Sequence, residues 1–91
     1  MDFDTKTIAK GKRIGKITHY FNKVGVAVLE LEQDLQVGEV IVVCGHGHEF
    51  EQKVDSMQME HESVLKAKAG DIIALKTDCV VSDGCIAYLK G

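Results

Sequence analysis

Proline and tryptophan are missing from this 91-residue chain, aromatic residues make up only 5% of it, and no apolar run exceeds five residues. A bilayer-spanning helix needs about 20 apolar residues, so none is encoded. Without proline, no strand position is denied its N–H, which suits a chain built of β-ladders. The three cysteines, Cys44, Cys79 and Cys85, are odd in number and never fall in a C-x-x-C spacing, which excludes the zinc and redox sites that depend on it. No G-x-x-x-x-G-K-[S/T] segment occurs, so GTP is neither bound nor hydrolysed through a phosphate loop. No secretory pattern opens the sequence, and the expectation is a cytoplasmic protein whose three cysteines are reduced, buried and structural. A chain of this length also leaves no room for a GTPase, kinase or dinucleotide-enzyme core.

What is present is an apolar fraction of 45%, nine glycines and a net charge of −3 that hides a polarity. Residues 1–23 carry Lys6, Lys10, Lys12, Arg13, Lys16 and Lys23 against Asp2 and Asp4, a local +4, whereas residues 24–91 carry five basic and twelve acidic groups, a local −7. A dedicated duplex-DNA binder is strongly basic throughout, so that class is excluded.

Residues 1–12 have no sustained apolar period and read as a flexible N-terminal arm, with one domain over 13–91. Period-two patterning then predicts strands over 13–21, 24–32, 40–44, a long bent strand over about 50–59 beyond a turn at 45–48, 72–76 and 85–89. Residues 60–69 have room for one helical turn. Gly38, Gly70 and Gly84 fall at turns, where φ > 0 is easiest, and Glu39 and Asp71 can each accept a nearby N–H. The fold class is all-β: a small, closed or half-closed barrel of six to seven strands.

Three side-chain sets invite a functional reading. Cys44, His46 and His48 would share one face of an extended strand and offer three zinc ligands, although Gly45 and Gly47 favour a turn that splays them. Lys10, Lys12, Arg13, Lys16 and Lys23, interleaved with His19, Tyr20 and Phe21, are the best nucleic-acid candidates. Strict alternation splits them, with Arg13, Gly15, Ile17 and His19 on one face and Ile14, Lys16, Thr18 and Tyr20 on the other. Asp55, Glu60 and Glu62 read as solvated carboxylates rather than an acid–base set. No cofactor or nucleophile-and-base pair is indicated, so the expectation is a binding module without catalysis.

Leu35-Gln36-Val37-Gly38-Glu39-Val40-Ile41, Lys53-Val54-Asp55-Ser56-Met57-Gln58-Met59 and Ala69-Gly70-Asp71-Ile72-Ile73-Ala74-Leu75 occur in an order that resembles the second domain of translational GTPases such as elongation factor Tu. Val80-Val81-Ser82-Asp83-Gly84-Cys85 resembles that domain's closing strand. The same barrel occurs at the C-terminus of collagenase-like peptidases and in free-standing elongation-factor-like proteins, which Gly15-Lys16-Ile17-Thr18-His19-Tyr20-Phe21 most resembles. The resemblance implies a Greek-key barrel and a context of translation, with RNA, the ribosome or an RNA-modifying protein as partner. Its alternative is an accessory role beside a collagenase-like peptidase. Where the elongation factor has a basic pair and an Asn for the aminoacyl end of tRNA, this chain has Glu60, His61 and Ile72, so delivery of aminoacyl-tRNA is not expected.

Overall fold

The computed structural model describes residues 10–45 and 47–90, with Lys10 and His48 by backbone alone. Among them are ten strands and no helix: β1 (Lys10–Phe21), β2 (Val26–Leu31), β3 (Leu35–Gln36), β4 (Val40–Gly45), β5 (His48–Lys53), β6 (Met57–Met59), β7 (Glu62–Val64), β8 (Lys66–Ala67), β9 (Ile72–Lys76) and β10 (Ile86–Lys90). Eight form one antiparallel sheet in the order β5-β4-β10-β1-β2-β9-β6-β7, and β3 pairs with β8 as a separate ribbon.

β1 is the spine, paired with β10 on one side and β2 on the other. Its register slips between Lys10 and Arg13, between Arg13 and Gly15, and again between Ile17 and His19. Each slip inserts one residue, so inward positions fall three apart instead of two. Ile14 and Ile17 are both buried, and Tyr20 packs against the same core. The strict alternation read from sequence is thereby corrected, since the register shifts rather than one continuous pleat decide which way β1 points. Gly15 marks the closest approach to β2, because a Cβ there would stand 2.5 Å from the Glu30 carbonyl oxygen.

One buried cluster runs from Ile41 and Val43 on β4, through Ala87, Ile17, Leu29 and Ile73, to Met57 on β6. β4 and β6 lie far apart in strand order, so the sheet must curl over a common core for both to reach it. No ladder closes it among the described residues. Instead Gln52 on β5, 6% exposed, donates from Nε2 to the Lys76 carbonyl at 2.9 Å and accepts the Asp78 N–H at Oε1 over 2.8 Å. A side-chain amide thus ties β5 to the end of β9, and in place of the expected closed or half-closed barrel of six to seven strands the described residues form a curled sheet of eight that no ladder closes, with a ribbon.

Three turns share one construction. In Gln36–Glu39, Lys68–Asp71 and Ser82–Cys85 the fourth N–H bonds to the first carbonyl, and the third residue is a glycine with φ of +101°, +95° and +94°. Gly38 donates to Val54 O while Val54 N–H donates to Glu39 O; Gly70 and Asp71 do the same with Leu31, and Gly84 and Cys85 with Ile17. Two turn residues thus face one strand residue, which is a G1 bulge at the entrance to β4, β9 and β10. In the first two, Glu39 Oε1 also accepts the Gln36 N–H and Asp71 Oδ2 the Lys68 N–H, both at 2.9 Å.

These clamps account for two further differences. The expected long strand over about 50–59 starts earlier, at His48, and breaks at Val54, whose backbone is committed to Gly38 and Glu39. Residues 60–69 form no helical turn, because β6 and β7 make a tight hairpin and β8 then pairs with β3. β1 already begins at Lys10, inside the segment expected to be an arm, while residues 1–9 lie outside the described residues.

Candidate functional site

The bulges that turn Ile14 and Ile17 inward leave Arg13, Lys16, His19 and Phe21 exposed on the other side of β1. Four of the residues expected to divide between two faces therefore share one. His19 and Phe21 stack at a centroid distance of 4.5 Å. The cations there have acidic neighbours. Arg13 forms a fork on Glu32, with Nε to Oε1 at 2.9 Å and Nη2 to Oε2 at 3.0 Å. Lys16 stands opposite Glu30 in the ladder, and Lys90 binds Glu51 at 3.1 Å. Lys12 lies near the start of β1, whereas Lys23 sits in the turn beyond its far end, and 12 strand residues span about 40 Å. Lys10 pairs with Lys90 in the ladder. The candidate nucleic-acid residues thus form a dispersed, partly neutralised line rather than a compact patch.

The cysteine–histidine set is not brought together. Cys44 pairs with Glu49 in the β4–β5 ladder and Gly45 with His48, so Cys44 and His48 hold positions of opposite parity. The Cys44 thiol donates to Glu49 Oε1 over 3.6 Å. His46 lies outside the described residues, and among those described no group of three His, Cys, Asp or Glu is placed to hold a metal. Of the three cysteines expected to be buried, only Cys85 is; Cys44 is half-buried and Cys79, in the segment between β9 and β10, is exposed, and none is in a disulfide. Gly38, Glu39, Gly70, Asp71 and Gly84 belong to the turn clamps, where their role is structural.

The feature that sequence reading missed lies on the outer face of β2, β9 and β6. The ladder lines up His19, Val28, Ala74 and Gln58 in one row and Phe21, Val26 and Lys76 in the next, with Glu30 paired to Ile72 nearby. Phe21 is 49% exposed and Ile72 57%. They line the two ends of an open groove of about 250 Å³ shared with Val28, Ala74, Gln58, Glu60 and His61. Its wall is the β6–β7 hairpin, whose tip places Glu60 and His61 at φ of 53° and 68°. The available signal was that 26–29 and 72–75 are apolar at both parities, so one face of each strand had to carry apolar residues outward.

No family model matches the chain. By sequence, 77 residues, 84% of the chain, are 36% identical to an uncharacterized protease of Methanocaldococcus jannaschii, of which the chain spans 19%. By fold it is similar to two crystal structures of the C-terminal domain of a Geobacillus thermoleovorans protein assigned as a U32 peptidase, one of them the selenomethionine variant. That variant superposes with a TM-score of 0.82 at 15% identity, over 86% of this chain and 99% of that one. The other gives 0.81 at 14% identity, over 99% and 100%. The fold is therefore that of a peptidase C-terminal β-domain, which supports the collagenase-like peptidase side of the resemblance. The elongation-factor side continues to rest on its turn motifs, and these relatives lend no support to an RNA or ribosome partner.

Proposed function

We propose that the chain is a non-catalytic accessory module that docks on the body of a U32-type peptidase. The observation that carries this reading is the 36% identity over 77 residues to part of a protease, four-fifths of whose length lies outside the match. The similarity to a peptidase's C-terminal domain supports it at the level of fold. The placement of the reactive side chains is consistent with a binding role, since the Cys44 thiol is engaged by Glu49 and both Glu60 and Glu62 are exposed at a hairpin.

RNA contact is the competing reading, favoured by the shared outer face of Arg13, Lys16, His19 and Phe21. The fork on Glu32 and the Glu30 beside Lys16 oppose it, because each offsets a cation that would otherwise meet phosphate. Affinity purification from native lysate, with and without nuclease and high salt, separates the two. Recovery of a U32-type peptidase, identified by mass spectrometry and insensitive to both treatments, is expected. Recovery only of ribosomal proteins or tRNA, lost on nuclease treatment, would overturn the accessory-module reading.

A further inference from the structure

The outer face of an antiparallel sheet is normally polar where it meets water. Here β2 and β9 present Val26, Val28, Ile72 and Ala74 on that face, with Phe21 beside them on β1. Among the five large apolar side chains left exposed in the described residues, Phe21 and Ile72 line the ends of the single groove described above, and Val24 lies three residues beyond Phe21. An exposed apolar strip of this kind, rimmed by polar residues, is the type of surface that protein interaction sites use.

The charge around the groove selects the class of partner. Glu60 at the hairpin tip is the one carboxylate that lines it among the described residues, while Glu30, which stands against Ile72 in the ladder, faces Lys16 on β1, and Lys76 stands opposite Val26 at the Phe21 end. With Glu30 offset by Lys16, the Glu60 carboxylate at the Ile72 end is what repels a phosphate backbone and attracts a cationic side chain. We infer that the Phe21–Ile72 groove is the surface by which this module docks, and that its occupant is a peptidase-body segment with an apolar side chain flanked by Lys or Arg. The inference rests on the accessory-module reading, and the relative supplies the reason for choosing that occupant. In the M. jannaschii protease the matched region is one-fifth of the chain, so such a domain has a large protein body as its covalent neighbour.

The test uses the full chain and a purified U32-type peptidase body, with affinity read by surface plasmon resonance. Phe21→Ser/Ile72→Ser should weaken binding at least about tenfold, as loss of central interface anchors does. Glu60→Lys, an exposed hairpin change, should also weaken it and slow association. Leu65→Ser, at a side chain 79% exposed and outside the groove, should leave it unchanged. Equal circular dichroism melts for all four proteins keep a folding defect from imitating the result. If the wild-type chain binds and the groove variants bind equally well, this surface assignment is overturned while the accessory role stands. Absence of wild-type binding overturns both. A parallel titration with total tRNA that is abolished by the double variant, with peptidase binding intact, would assign the groove to RNA instead.

Discussion

Gly38 and Gly70 hold the same place in two copies of one turn. Each donates its N–H to the carbonyl of a buried residue, Val54 or Leu31, which returns its own N–H to the carbonyl of the acid beside the glycine. Nothing lies within 4 Å of a Cβ built at either position, so an added side chain would meet strain from the backbone alone. Gly38→Ala and Gly70→Ala should each cost about 1–3 kcal/mol, and by similar amounts, because both force a non-glycine residue into positive φ. Urea denaturation of the two variants checks this; an unchanged midpoint in either would show that its turn relaxes freely.

Gln52 makes a different kind of closure. Its amide satisfies both the Lys76 carbonyl and the Asp78 N–H from within the core, so the junction of β5 and β9 depends on one side chain. Gln52→Leu keeps the volume and removes both bonds, leaving two backbone groups poorly paired. Lys76 and Asp78 are exposed residues whose backbone groups water can reach, so the net worth of about 0.5–1.5 kcal/mol per hydrogen bond applies and a loss of roughly 1–3 kcal/mol is expected. Thermal unfolding measures it, and hydrogen exchange should accelerate at Asp78 first. A variant as stable as the parent would mean that water replaces the amide at no cost.

The tip of the β6–β7 hairpin spends its two positive-φ positions on Glu60 and His61, where Asn-Gly is the favoured pair. Glu60→Asn/His61→Gly should therefore stabilise the isolated chain by about 0.5–2 kcal/mol. The same double change should weaken peptidase binding, since Glu60 lines the groove. Stabilisation with undiminished binding would separate the strained tip from function.

How much of this was legible beforehand differs by feature. The turns at Gly38, Gly70 and Gly84 could be read because each depends on local chemistry, a glycine at a position of positive φ. The all-β class and the strand cores at 40–44 and 72–76 followed from pattern and the lack of proline. Bulges were not legible, since Ile14 and Thr18 differ in no local property from residues in an unbroken pleat. Their consequence reached the candidate site, because they gather Arg13, Lys16, His19 and Phe21 on one face. The Gln52 bridge joins residues 24 and 26 positions apart in sequence and leaves no periodic trace. The same holds for the Phe21–Ile72 groove, whose two ends come from strands brought together only by β2.

Calorimetric titration of the purified chain into a purified U32-type peptidase body, at about 0.1 M and about 0.5 M salt, tests the central claim most directly, since apolar docking survives screening that removes exposed charge interactions. The account predicts saturable binding with a negative heat-capacity change and an affinity that falls by less than about tenfold between the two conditions. No binding at either salt concentration, with RNA bound instead and lost steeply as salt rises, would contradict it.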